Sequence, residues 1–259
     1  MASFPDGDRE RDVAGALFVD RGPPAVLMGL PDAPGYQLVL GGDATHELGG
    51  LFPPGLVAVL AMGSVAPDPL FADEASLVAH AIERRRLEFG RGRSCARRAM
   101  RELGLGSMPV LADARRAPRW PDGVVGSISH CRDCCCAVVG RSDQWAAIGV
   151  DVELLVAPHA EVEERIASVA ERRALAAMDA AVPWTCVLFS IKECVYKAWN
   201  PLTGGWLDFD DVEVRLSPES GRFEADISKS APSAPRLVEG RFHLYGRRVL
   251  SFLAIARAR

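Results

Sequence analysis

The stretch Ala147-Ile148-Gly149-Val150-Asp151-Val152-Glu153-Leu154 alternates in polarity and is rich in β-branched residues, which reads as a strand. Residues two apart on a strand share a face. Asp151 and Glu153 therefore stand side by side, while Val150 and Val152 turn the other way into a core. Two carboxylates that close repel each other unless a cation or a proton intervenes. Taken alone, the stretch fits a metal site and a solvated edge-strand face equally well.

Further along, Trp184, Val187, Leu188, Ile191, Val195, Ala198 and Trp199 recur at helical spacing. Pro183 suits the first turn of that helix and Asn200-Pro201 its end. Glu193 and Lys197 are four apart and share a face off the apolar stripe. An isolated pair of this kind is an ordinary surface contact worth about 0.2–0.5 kcal/mol. Composition argues for more. Only three of the 30 basic side chains are lysine, and two of them, Lys192 and Lys197, fall in one six-residue window. An ammonium can give up a proton and rotates as a point charge, whereas guanidinium effectively cannot deprotonate. Lys197 is read as a phosphate ligand able to protonate a leaving group.

These residues resemble a known family. Gly149-Val-Asp-Val-Glu153 followed by Phe189-Ser-Ile-Lys-Glu-Cys-Val-Tyr-Lys-Ala198 is similar to the paired signature of the 4′-phosphopantetheinyl transferases. Upstream, in order, come Glu88-Phe89, Gly92-Arg-Ser-Cys-Ala-Arg97, Trp120-Pro121 and Gly126-Ser-Ile-Ser-His-Cys131. The likeness runs from about residue 84 to about 210. Trp199-Asn-Pro-Leu-Thr203 and Trp206-Leu207 most resemble the bacterial siderophore, polyketide and mycolate-type enzymes.

The resemblance implies a reaction. A carrier-protein serine attacks the β-phosphorus of coenzyme A, the phosphopantetheine arm moves to that serine, and 3′,5′-ADP leaves. It also implies roles. Asp151, Glu153 and Glu193 would hold Mg²⁺, which prefers a few carboxylates plus phosphate oxygens and waters to an all-protein cage. Lys197, and more loosely Lys192, would offset phosphate charge. The base would be Glu193, with Glu153 second. Asp151, Arg85, Arg93, Ser129 and His130 would bind coenzyme A. Arg115 would stand where the family carries a basic residue before Trp-Pro. Arg97 would be a structural or interdomain ion-pair residue. The partner would be an acyl or peptidyl carrier protein, and the enzyme a monomer.

Eight arginines fall between Arg84 and Arg101, which raises nucleic acid as a rival ligand. The net charge of −4 and pI near 5.8 oppose it. Apolar spacing there suggests one helix at about 74–89, a break near Gly90-Arg91-Gly92, and a second helix from Ser94 to Leu103. Cys131, Cys134, Cys135 and Cys136, with His130 adjacent, raise zinc. No second clean ligand pair follows, however, and Cys134–Val139 reads as a buried strand in which cysteine is a small hydrophobe. Seven cysteines do not suggest a disulfide framework. The N-terminus lacks signal-peptide character, and no apolar run reaches membrane-spanning length. A cytoplasmic, reduced protein is expected.

The chain of 259 residues, 49% hydrophobic and 25% charged, is long enough for one large core or two smaller ones. Strands are expected near Ala14–Val19, Val57–Met62, Ser127–Ser129, Cys135–Val139, Ile148–Glu153, Val212–Leu216, Arg222–Ile227, Phe242–Tyr245 and Val249–Ala256. Further helices are expected at about 161–179 and 184–200. Strands and helices are segregated, which favours an α+β fold. By resemblance the chain forms two pseudo-symmetric α+β lobes, 1–147 and 148–259, with the site between them. No function is assigned to the first seventy residues. Two other readings use the same residues: a Mg²⁺-dependent hydrolase or nucleotidyl transferase acting on another diphosphate, and an inactive coenzyme A-binding module.

Overall fold

A computed structural model describes residues 18–19, 35–42 and 48–258. Of the expected strand Ala14–Val19, only Phe18–Val19 lies within the described residues. The elements in order are β1 (Phe18–Val19), β2 (Gly35–Leu40), β3 (Val57–Met62), α1 (Ala72–Ser76), α2 (Glu83–Glu102), β4 (Leu111–Ala112), β5 (Pro118–Arg119), β6 (Val124–Cys131), β7 (Cys134–Arg141) and β8 (Trp145–Leu154). Then come β9 (Ala157–Pro158), α3 (Ala160–Ile166), α4 (Val169–Leu175), α5 (Trp184–Thr203), β10 (Val212–Ser217), β11 (Arg222–Ile227), β12 (Leu237–Tyr245) and β13 (Arg248–Ala256).

Two antiparallel sheets dominate, in the orders β2-β3-β7-β6 and β10-β11-β12-β13-β8. The period of two along each strand divides the side chains between three cores. On β3, Val57, Val59 and Ala61 pack with Cys95, Ala96, Ala99 and Met100 of α2. Ala58, Leu60 and Met62 face the other way, onto Val150, Val152, Leu250 and Phe252 of the second sheet. The far face of the second sheet meets α5 through Ala147, Val249 and Leu253 against Val187, Ile191, Cys194 and Val195. The layers are therefore helix, sheet, sheet, helix, an α+β architecture as expected. Cys134 and Cys136 lie in the inter-sheet core and Cys135 against α2, so the cysteine run is a buried strand.

The sheets meet at their edges as well as their faces. β6 ends one sheet and β8 the other. An edge strand leaves backbone N–H groups unpaired. On β8 two of them are taken by β6 serine hydroxyls: Val150 N–H donates to Ser127 Oγ (3.1 Å) and Val152 N–H to Ser129 Oγ (3.3 Å). Nearby, Arg248 of β13 is buried and ion-paired with Asp133 in the β6–β7 turn. That pairing ties the tip of one sheet's hairpin to the other sheet.

Three helix expectations are corrected. The expected break near Gly90-Arg91-Gly92 does not occur, and α2 runs unbroken from Glu83 to Glu102. The glycines are there for close packing. A Cβ on Gly90 would lie 2.9 Å from Pro67 Cβ, and one on Gly92 would lie 2.9 Å from Ile128 Cγ2. The helix expected from 74 is only the short α1, with turns between it and α2. The helix expected over 161–179 is two short ones. Ala167 is extended, and Ser168 opens α4 as its N-cap, in a capping box with Glu171. Finally, α5 passes Pro201 to end at Thr203, capped by Gly204, whose φ of 65° suits a residue without a Cβ.

Candidate active site

The alternation of β8 decides where the acids point. Ile148, Val150 and Val152 enter the inter-sheet core, so Gly149, Asp151 and Glu153 face α5. At Gly149 strand and helix touch through their backbones: a Cβ there would lie 2.1 Å from the Cys194 carbonyl oxygen. This close approach brings Lys197, next to Ala198 on α5, up to Asp151.

At the meeting point, Lys197 Nζ lies 2.5 Å from Asp151 Oδ1 and donates to Ser129 Oγ at 3.0 Å. Ser129 in turn donates to the same Oδ1 at 2.8 Å. Asp151 is 2% exposed. Its second oxygen, Oδ2, is buried with no hydrogen-bond partner. A buried carboxylate oxygen left unmatched is expensive and is the kind of hard donor that Mg²⁺ takes. Burial, and then the charge of Asp151, push the Glu153 carboxyl well above the usual carboxylate range; Glu193 adds to the rise and Lys197 opposes it. Glu153 is thus within electrostatic reach of both Asp151 and Glu193. Among the described residues, though, no three His, Cys, Asp or Glu side chains form a ready-made metal group. The donor set fits Mg²⁺ as a few carboxylates to be completed by substrate oxygens and water.

Arg85 and His130 also meet. Arg85 Nη1 is 3.3 Å from His130 Nε2, which places the start of α2 beside the end of β6. Arg93 is buried over the Phe89 ring, with its guanidinium carbon 3.9 Å from the centroid. Its Nε donates to Val110 O at 2.8 Å and Nη2 to Leu111 O at 3.2 Å. Burial lowers its pKa to about 10. Arg93 therefore tethers α2 to the segment entering β4, within range of the Arg85 charge. Arg115 reaches Gly204 O, at the end of α5, with Nη1 at 2.5 Å. Arg97 forms the structural ion pair expected of it, 2.6 Å from the fully buried Glu74.

Lys192 is corrected. The expectation of a phosphate contact fails because its ammonium is enclosed. Nζ donates to Ile166 O (2.9 Å), Glu171 Oε2 (2.8 Å) and Phe209 O (3.0 Å), which uses all three of its N–H bonds. Glu171 also accepts from Ser168 N and Val214 N. The pair knots α5 to α4 and β10. The sequence reading passed over Glu171, although Ser168-Val-Ala-Glu171 is a capping-box pattern that marks it. It also missed the backbone-capping role of Ser127, which no local pattern announces. Cavities of about 600 and 300 Å³ lie elsewhere, beside Trp184 and beside Tyr36.

Comparison with known proteins gives the family. Residues 73–140 match the model of the 4′-phosphopantetheinyl transferase N-terminal domain, and residues 147–252 that of the 4′-phosphopantetheinyl transferase superfamily. Among relatives, the 4′-phosphopantetheinyl transferase Svp of Streptomyces mobaraensis is 40% identical over 192 residues, covering 70% of this chain and 76% of its own. The 4′-phosphopantetheinyl transferase PptT of Mycobacterium tuberculosis is 41% identical over 164 residues, covering 60% and 70%. Enterobactin synthase component D of Salmonella typhi is 39% identical over 120 residues, covering 45% and 49%. The superfamily match takes in the strand and the helix that carry Asp151 and Lys197, and with 40% identity to Svp over 76% of that relative's length the chain belongs to the 4′-phosphopantetheinyl transferase superfamily.

Proposed function

We propose that the protein transfers the 4′-phosphopantetheine arm of coenzyme A to a serine hydroxyl of an acyl or peptidyl carrier protein, releasing 3′,5′-ADP, in a Mg²⁺-dependent reaction. The observation that carries this reading is the contact of Lys197 with Asp151 and Ser129, beside a buried Asp151 oxygen that lacks a partner. Family membership supports the group transferred. The names of the relatives carry the same transferred group, and a carrier-protein serine is the acceptor that the family resemblance implies.

The roles follow from the chemistry of each group. Asp151, Glu153 and Glu193 would hold Mg²⁺, which when bound supplies positive charge to the diphosphate oxygens. Lys197 is aimed at the same place and would carry positive charge to the leaving phosphate. Ser129 holds Asp151 and Lys197 in register. Arg85 and His130 would take further coenzyme A phosphates as charge-assisted donors. Glu193 is assigned as the base for the carrier serine, with Glu153 second. Burial and the Asp151 charge raise the proton affinity of Glu153, which suits a proton acceptor.

We assign residues 1–147 and 148–259 to two lobes with the site between them. Among the described residues, no helix is long and apolar enough to cross a membrane. All seven cysteines are free thiols, which supports action in the reducing cytoplasm. A monomer is proposed. The test is incubation with coenzyme A, Mg²⁺ and a panel of apo carriers. A mass gain of one arm on the carrier, with release of 3′,5′-ADP, is expected. No gain on any carrier overturns the transfer, and transfer undiminished by a chelator overturns the metal dependence.

A further inference from the structure

The ammonium of Lys197 already serves Asp151 as its cation. It lies 2.5 Å from Oδ1, is braced by Ser129 Oγ at 3.0 Å, and is only 15% exposed. Ser129 is held in its turn by its bond to Oδ1 and by Val152 N–H. The arrangement is a closed ring of short contacts between β6, β8 and α5. Yet no three ligating side chains are gathered into a metal group among the described residues.

We infer that Lys197 is a resident cation that a divalent ion must displace from Asp151, and that the diphosphate of coenzyme A enables the displacement by offering the ammonium new acceptors. The inference rests on reading the site as a Mg²⁺–diphosphate centre. Its physical basis is the repulsion between an ammonium and a divalent ion on the same carboxylate, which is strong where water is scarce. With coenzyme A absent, the lysine gains nothing by leaving, because its departure strands a partly buried charge. With coenzyme A present, phosphate oxygens can accept from Nζ and share the metal with Asp151. Metal and coenzyme A then strengthen each other's binding, and the coupling is reciprocal. Lys197 acts here as a positioning residue for the ion, in addition to any role toward the leaving group.

The experiment uses full-length protein and Mn²⁺ as the probe. Mn²⁺ is followed by electron paramagnetic resonance and corrected for the ion held by free coenzyme A. Wild type should bind Mn²⁺ weakly alone and about tenfold or more tightly with coenzyme A, within the usual range of coupling between sites. Lys197→Met and Lys197→Gln should each bind Mn²⁺ about tenfold more tightly than wild type without coenzyme A. In both, coenzyme A should add less than it does in wild type. Asp151→Asn in the Lys197→Met background should abolish the gain.

Unchanged or weaker Mn²⁺ binding in both neutral variants overturns the inference. So does a gain that survives Asp151→Asn, because the ion is then elsewhere. Circular dichroism checks that the variants fold. If neither does, wild type alone decides, and absence of coupling between Mn²⁺ and coenzyme A overturns the inference. A parallel carrier assay separates the two levels. Chelator-sensitive transfer with unaltered Mn²⁺ affinity in the variants removes only the displacement, whereas chelator-insensitive transfer removes the Mg²⁺ reading beneath it.

Discussion

Lys197 and Asp151, on a helix and a strand 46 positions apart in sequence, meet through a 2.5 Å contact between ammonium and carboxylate. The contact joins the acidic strand to the lysine helix, so removing a group on either side should disable the site. Asp151→Ala and Glu193→Ala should each lower the rate of arm transfer by about 10²-fold or more. Lys197→Arg should also be impaired although it keeps the charge, because a planar fork cannot reproduce a point donor wedged between Ser129 and Asp151. Single-turnover transfer to an apo carrier measures all three. Near-normal turnover in Asp151→Ala and Glu193→Ala would mean that the chemistry lies elsewhere.

The other lysine of the signature should behave differently. Lys192→Met strands Glu171 in the interior, and breaking one side of a buried pair typically costs about 3–5 kcal/mol. Urea unfolding should show a large drop in midpoint, while the KM for coenzyme A of the folded fraction stays near that of wild type. A selective rise in KM with unchanged stability would restore Lys192 to the phosphates.

Much of this site was legible in the sequence, and the illegible part has a common cause. The alternation of Val150 and Val152 with Asp151 and Glu153 follows from the two-residue period of a strand. The helical spacing from Trp184 placed Glu193 and Lys197 on one face. Both are local properties. The orientation of Lys192 depends on Glu171 and on the Ile166 and Phe209 carbonyls, none of which lies near it in the chain. Gly90 and Gly92 read as a break because their packing partners, Pro67 and Ile128, come from other elements. Pairing of the β8 edge with Ser127 and Ser129 is likewise a contact between separate sheets. Strand β2 was not placed individually, because Gly/Pro-rich flanks obscured its short alternation.

Gly149→Ala tests the close approach of strand and helix. Its new methyl would lie 2.1 Å from the Cys194 carbonyl oxygen and 3.1 Å from Ala198 Cβ. Backbone on one side must yield, at a cost of about 1–3 kcal/mol, and α5 should move off β8, parting Lys197 from Asp151. A lowered melting temperature together with a loss of transfer in protein that remains folded by circular dichroism is the expected result. Full activity would show that the site tolerates the displacement.

Glu153 gives a pH-dependent prediction. Its carboxyl holds a proton in the native state at pH values where the unfolded chain has released it. In that window the native state binds more protons, so stability falls as pH rises. Glu153→Gln does not titrate. In chelator, its melting temperature relative to wild type should climb as pH rises above the ordinary carboxylate range and level off below it. A difference independent of pH would show that the proton affinity of Glu153 is ordinary.

The clasp between Asp133 and Arg248 sits at the tip of the same hairpin that presents Ser129 and His130. Whatever loosens it withdraws Ser129 from the Asp151 carboxylate and the Lys197 ammonium that it bridges. Neither sheet would carry out the chemistry unaided, so gentle denaturant that parts the sheets should silence turnover before either sheet melts. Catalysis would then be a direct reporter of their docking, which makes the chain suited to fragment-complementation assays.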